Sequence, residues 1–335
     1  MMRQVIFGLA GVAFVWSLWW AGAVFVLREG LTGWLAERRE AGWQAEAQEI
    51  VIAGYPDRLE LTLPALALAD PSRGVAFNFP SLRISSAAWW PGFATLYFPE
   101  EAVTIAVPNG QSELRADAAQ ANLRLHASLS LQLAEMTVTA GAWSLRADVG
   151  DILAAEDLNM RMVQNAENQS TYSFRAGSEG FALGEAVRAS LRVPENWPLS
   201  FETFVLEADV TFDRPWDLPA IEGARPQPRE IDLKLAEASW GALLVRTSGS
   251  VTVDAVGMPE GSLSLQVRNW REVLTLAENA GVLPPRLRPQ AERVLGALAG
   301  AGGNPDSIDV KLNLRDGMVA LGFIPIAPAP ALILR

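Results

Sequence analysis

Residues Asn122–Leu133, NLRLHASLSLQL, alternate apolar and polar side chains without a break. Leu123, Leu125, Ala127, Leu129, Leu131 and Leu133 fall on one side, with Asn122, Arg124, His126, Ser128, Ser130 and Gln132 between them. Successive side chains of a strand point to opposite faces, so this period of two predicts a long strand with one apolar and one wet face. No other feature constrains the chain as much, because the same period recurs from about Trp43 to the C-terminus.

Leu59, Leu61 and Leu63 alternate with Arg58, Glu60 and Thr62, and Val75, Phe77 and Phe79, then Val103, Ile105 and Val107, also fall at every second position. Met136–Ala140, Trp143–Val149, Leu158–Met162, Tyr172–Ala176 and Val187–Val193 read as further strands. Phe204, Leu206, Ala208, Val210 and Phe212 form another clear run, followed by Ile231–Leu235, Val251–Val253 and Leu263–Val267. Turns are expected at Asp70-Pro71, Pro108-Asn109-Gly110, Gly177–Gly180 and Pro259-Glu260-Gly261. Alternation joined by short connections predicts an antiparallel sheet with one face covered.

Two segments break the pattern. Val5–Leu27 holds no charge, and at 1.5 Å per residue it can cross a hydrocarbon core of roughly 30 Å. Ala21-Gly22-Ala23 looks like a signal-peptidase site, but the apolar run continues past it and Trp16, Trp19 and Trp20 crowd it, so a retained anchor is the expectation. Arg3 favours a cytoplasmic start. Leu31–Ala41 reads as a short linker or interfacial helix stopping at Gly42. The domain expectation is therefore an anchor at 1–30, a linker helix at 31–42 and an extracytoplasmic β-rich domain at 43–335.

Within that domain Arg214–Arg229 carries Pro215, Pro219, Pro226 and Pro228, and reads as a long loop or a sub-boundary. Trp270–Ala280 and Pro285–Ala299 have helical spacing, with Asn269 as candidate cap and Gly281 as candidate stop, and are expected to pack on the sheet. Ile308–Leu314, Asp316-Gly317 and Val319–Phe323 predict a final hairpin before a proline-bearing tail. The fold class is mainly β: an N-terminal transmembrane helix, then a large, curved antiparallel sheet (groove, half-barrel or sandwich) with two C-terminal helices on it.

Chemistry finds few handles. The chain has no cysteine and one histidine, which removes disulfides, thiol nucleophiles and His- or Cys-rich metal sites. His126 reads as a surface side chain. No GxSxG elbow, dinucleotide fingerprint or Walker motif is present. Asp148 with Asp151, Glu156 with Asp157, and Asp209 with Asp213 are carboxylate pairs that a solvated face explains. Asn168-Gln169-Ser170 fits a glycosylation sequon. Residues 1–27 hold one basic residue and no acid, so of the net charge of −11 the body carries 26 − 38 = −12, which argues against nucleic acid as a partner. No cofactor and no enzymatic activity are expected.

The stretches GWQAEAQEIVIAGYPDRLELTL, ADPSRGVAFNFPSLRI and WWPGFATLYFPEE carry Gly54-Tyr55-Pro56 with Arg58, Asp70-Pro71 with Gly74, Pro80, Trp90-Pro91 and Phe98-Pro99. On these the chain resembles the bacterial DUF2125 family, with Phe77 and Phe98 standing where Trp is expected. The resemblance covers most of the chain after the anchor. It implies a single-pass envelope protein and supplies no catalytic residues. An anchor followed by long alternating strands is also similar in style to AsmA-type envelope proteins, which are thought to hold lipid on a curved sheet.

A half-covered sheet of this size needs something on its apolar face. Two helices of roughly 16–22 Å cannot cover every strand. The first functional expectation is an inner-membrane, single-pass, periplasm-facing protein whose sheet binds or passes lipid or acyl chains. The second is a structural or interaction module of the envelope with a closed core, and the third an envelope hydrolase. The candidate apolar face is Leu123, Leu125, Leu129, Leu131, Leu133, Phe204, Leu206 and Phe212.

Overall fold

The computed structural model describes residues 2–334 apart from Leu129, Ala224 and Phe323. Two compact units emerge, Met1–Ala127 and Ser128–Arg335.

Unit 1 begins with one continuous helix, α1 (Met2–Glu40). It carries no proline, and Gly42 ends it in a left-handed conformation (φ 87°). The separate linker helix expected at 31–42 is therefore the last part of α1. Its inward stripe reaches the sheet: Leu27 and Leu31 pack against Leu61, Leu63 and Leu66, and Leu35 is buried. The strands are β1 (Gln44–Glu46), β2 (Val51–Ala53), β3 (Arg58–Asp70), β4 (Val75–Ala87), β5 (Trp90–Tyr97), β6 (Val103–Val107), β7 (Gly110–Ala116) and β8 (Gln120–Leu125). Among the described residues the strands of this unit pair antiparallel. β1 and β2 share one edge of β3, β3 pairs with β4, and the far edge of β4 is divided between β5 and β6, which continue to β8 and β7. The alternating runs at Leu59–Leu63 and Val75–Phe79 continue into the longer strands β3 and β4. Ala65 (φ 48°) interrupts the β3–β4 register opposite Pro80, which has no N–H to give a ladder. At the Asp70 turn, hydrogen bonds from Ser72 hold the carboxyl below the usual carboxylate range.

Unit 2 contains β9 (Leu133–Ala140), β10 (Trp143–Ala147), β11 (Gly150–Ala155), β12 (Leu158–Gln164), β13 (Thr171–Gly177), β14 (Ala182–Leu183), α2 (Glu185–Ser190), β15 (Thr203–Phe212), α3 (Leu218–Glu222), β16 (Pro228–Trp240), β17 (Leu243–Val253), β18 (Pro259–Arg268), α4 (Trp270–Asn279), a 3-10 turn (Pro285–Leu287), α5 (Arg288–Ala301), β19 (Ser307–Arg315), β20 (Met318–Leu321) and β21 (Ile324–Pro328). The main ladder runs β9, β12, β13, β15, then β16 through β21 in sequence, antiparallel throughout. Among the described residues of this unit no pairing joins β9 to β21, so the ladder is open. β10, β11 and β14 form a short side ladder.

Several expectations are corrected. The Asn122–Leu133 run is not one strand: β8 stops at Leu125, β9 starts at Leu133, and the boundary between the units lies between them. Leu131 has φ 46°, and Ser130 O and Leu133 N bond to Leu218 and Trp216 rather than to a neighbouring strand. Alternation says which side chains can share a face; only a partner strand makes a ladder. The 214–229 segment is a loop between two strands that pair with each other, not a boundary. Val187–Val193 is not a strand, because Glu185–Ser190 winds into α2 with an acid in its first turn and Arg188 in its last. Pro259-Glu260-Gly261 opens β18 rather than forming a turn. Gly261 (φ 150°) lies so close to β17 that a Cβ would stand 2.3 Å from the Ser250 carbonyl. The turn itself is built by Asp254, whose carboxylate accepts from Val256 N (2.9 Å) and Met258 N (2.8 Å). Asn269 does not cap α4 with its side chain, which donates to Ala242 O instead. The expected return strand is β20; Phe323 lies outside the described residues.

Candidate functional site

Register places one apolar row across the main ladder of unit 2: Val138, Met160, Ala176, Leu206, Ala236, Thr247, Leu265 and Val310 are successive partners. Phe204, Ala238, Val245, Val267 and Ile308 form the next row. The opposite face is charged and internally paired. Arg161 reaches Glu135 (2.7 Å), Arg175 reaches Glu207 (2.9 Å) and Arg246 reaches Glu237 (2.6 Å). Lys234 sits between Asp232 and Asp209, whose hydrogen bonds raise its pKa. Such solvated pairs fix which face is wet more than they stabilise the sheet.

The apolar face is closed in two places. At one, Tyr172, Phe212 and Met162 are buried together, with Trp216 from the 214–229 loop edge-on to Phe212 at 5.6 Å. The Tyr172 hydroxyl accepts from Trp216 N (3.0 Å) and Gln164 Nε2 (3.1 Å), and burial pushes its pKa above the usual tyrosine value. At the other, α4 and α5 cover Ile308 with Trp270, Leu274 and Ala299.

Between them a groove of about 400 Å³ remains. Its floor is Ala176, Leu206, Ala236, Ala238 and Val245, where small side chains on adjacent strands leave a hollow. Trp143, Leu158, Phe181 and Phe204 stand around it. Phe181 stacks on Phe204 at 4.2 Å, and behind them Phe201 stacks on Trp240 at 4.9 Å, against which Trp197 stands edge-on. The indole donors nearby are already used: Trp143 Nε1 gives to Asp157 O (3.0 Å) and Trp240 Nε1 to Pro198 O (2.9 Å). Thr247 spends its hydroxyl on Ser264 O (3.0 Å). What remains is carbon surface. Phe204 is 42% and Leu206 43% exposed although both lie on the face that elsewhere forms core. Sharing Gly177, Ser178, Phe204 and Val205 with the groove is a polar depression of about 630 Å³, whose lining includes Glu156, Asp157, Glu179 and Glu202 and no basic side chain.

Of the residues expected on one apolar face, Phe204 and Leu206 line the groove. Phe212 and half-buried Leu133 belong to the Tyr172 cluster. Leu123 and Leu125 are half-buried on β8 of unit 1, Leu131 lies in the irregular connection, and Leu129 is outside the described residues. The aromatic wall was missed. Its signal was density rather than period: Phe181, Trp197 and Phe201 lie shortly before the Phe204 run and outside every alternating segment.

His126 is exposed just beyond β8. Asp151 bonds Arg146 (2.7 Å), which holds its carboxyl below the usual range, and Asp209 accepts from Ser173 (2.6 Å). Asp213 accepts from Gln227 N (2.9 Å), and Asp157 from Glu179 N (2.5 Å). These carboxylates serve strands and turns. Among the described residues no group of three or more His, Asp or Glu side chains is placed to hold a metal ion. What the groove offers is apolar surface without free polar groups at its floor.

A bacterial family described as "Uncharacterized protein conserved in bacteria (DUF2125)" matches residues 20–330. No curated protein matches the chain.

Proposed function

The chain belongs to the DUF2125 family, whose description names no activity, and from its own geometry we propose that it is a non-enzymatic, membrane-anchored envelope protein that holds an acyl chain in the unit 2 groove. The observation that carries the reading is the exposure of Phe204 and Leu206 inside an otherwise apolar hollow. The groove falls within the size range of small-molecule sites, and large apolar patches are seldom left open without an occupant. The carboxylates of the adjoining depression favour a ligand with a neutral or cationic head over an anionic one.

α1 is long and apolar enough to span a membrane, which brings lipid to the protein. Contacts of α1 support its retention: Trp16, Trp19 and Trp20, all before Ala21-Gly22-Ala23, donate to backbone carbonyls of unit 1. Arg3 ahead of the apolar run supports a start in the cytoplasm, with the acidic body in the periplasm and the anchor in the inner membrane.

The test is a photo-crosslinking residue at Leu206 in the full chain in bacterial membranes, with Arg175 on the wet face as control. A lipid-mass adduct at position 206 and not at 175 is expected. Equal background at both sites overturns the reading in favour of an envelope module without a ligand. A periplasm-active reporter at the C-terminus is expected to be active, and inactivity reverses the orientation.

A further inference from the structure

The membrane helix and the unit 1 sheet are joined along much of α1, and the junction fixes how deep the sheet sits. Trp16 Nε1 donates to Pro56 O (2.8 Å), Trp19 Nε1 to Ala88 O (3.1 Å) and Trp20 Nε1 to Arg58 O (2.9 Å). Ser17 Oγ lies 2.9 Å from the Tyr55 hydroxyl, and Tyr55 stands edge-on to Trp20 at 5.4 Å. These carbonyls lie at one end of the sheet: Pro56 in the β2–β3 turn, Arg58 at the first residue of β3, and Ala88 in the β4–β5 turn at Ala88-Trp89. Farther along α1, Leu27 and Leu31 are already packed on β3.

The lengths then decide the matter. Arg3 bounds the uncharged run, and the twelve residues 4–15 before the first contact span about 18 Å at 1.5 Å per residue. A hydrocarbon core is roughly 30 Å thick and takes about 20 residues, which brings the far boundary to about residue 23, beyond the level of both turns. A helix that crosses the bilayer therefore carries the sheet end to the bilayer with it.

That end has the surface such a position demands. Trp89 is 62% exposed, Phe93 57% and Tyr55 53%, and Trp19 is exposed beside them. Tryptophan and tyrosine favour the headgroup boundary, where an apolar ring and a polar edge are both satisfied. The three indole bonds pair three turn carbonyls with three donors, so neither set is left unsatisfied away from water. Asp57 and Arg58 are exposed at the same end, which sets the limit: with the contacts at residues 16–20 of α1 and the far boundary at about residue 23, the end enters the headgroup–acyl boundary by about 5–10 Å and stops short of the bilayer centre.

We infer that the β2–β3 and β4–β5 turns of unit 1 are seated in the headgroup–acyl boundary of the bilayer that α1 spans, with Tyr55, Trp89 and Phe93 as the inserted side chains. The inference rests on the membrane-anchor reading and is independent of the groove.

The chain has no native cysteine, so single nitroxide labels report position cleanly. Full-length protein in nanodiscs of phosphatidylethanolamine and phosphatidylglycerol is labelled at V12C, Y55C, W89C, F93C and N109C. Asn109 is exposed in the β6–β7 turn, and β6 pairs with the Val75 end of β4, remote from Ala88. Accessibility to oxygen against a water-soluble nickel chelate is expected to favour oxygen several-fold at 12, and clearly at 55, 89 and 93, relative to 109. If 12 is immersed while 55, 89 and 93 match 109, the seating is wrong and the anchor stands. If 12 also matches 109, both fall. Fluorescence of the otherwise native W89F variant against its parent, quenched by bromine on shallow acyl positions, is expected to show loss of a quenchable emitter, and unchanged quenching counts against the seating.

Discussion

Phe204 and Phe212 lie on the same strand, on the same face, and meet opposite fates. Phe212 is 5% exposed and Phe204 42%. The difference lies in what crosses above them. Over Phe212 the 214–229 loop lowers Trp216, and Tyr172 ties that loop down through its hydroxyl. Around Phe204 the neighbouring segment brings aromatic side chains to the edge of the groove and leaves the middle open over Leu206 and the alanines of β13 and β16. A continuous apolar face can thus be closed core at one end and open at the other, and the loops choose.

That contrast can be broken by mutation. Phe212→Ala should cost about 3–5 kcal/mol, as aromatic truncations in closed cores do, read from urea unfolding of the detergent-solubilised chain. Equal loss from Phe204→Ala would mean that the groove is packed in solution. Tyr172→Phe leaves the ring and removes the acceptor for Trp216 N, with an expected loss of about 1 kcal/mol at neutral pH. Its pH dependence is sharper. The folded-state pKa of Tyr172 is raised by burial, so the associated stability is intact below the unfolded-state value near 10. It falls as pH rises from there toward the folded-state pKa, because the unfolded chain ionises first. Unfolding midpoints between pH 9 and 11 should decline less steeply in the Phe variant. Leu206→Ala, at an already open position, should cost about 1 kcal/mol or less and yet reduce lipid adduct formation from a crosslinker placed at Val245. A large stability loss with unchanged adduct would erase the distinction between the two ends of the face.

The elements separate in the same way by how they could be read. Phe204–Phe212 and Leu263–Val267 were legible because period and partner agree: each strand lies between two others in register. Asn122–Leu133 has the cleanest alternation in the chain and still breaks, because its backbone finds loop partners at Trp216 and Leu218. For the site, Phe204 and Leu206 were on the expected face, but Trp143, Phe181 and Trp240 come from elements whose meeting depends on strand order.

The sequence by itself determined a charge-free helix, an antiparallel β body and the absence of thiol chemistry, since these follow from composition and from local periods of 3.6 and 2. Only the tertiary structure decided where the face stays open, that α1 runs on without a linker, and that its tryptophans bind the turns of unit 1. Those outcomes depend on contacts such as Trp16 with Pro56, Trp19 with Ala88 and Trp216 with Tyr172, which are 40, 69 and 44 positions apart, and local periodicity carries no information about which distant backbone groups will meet.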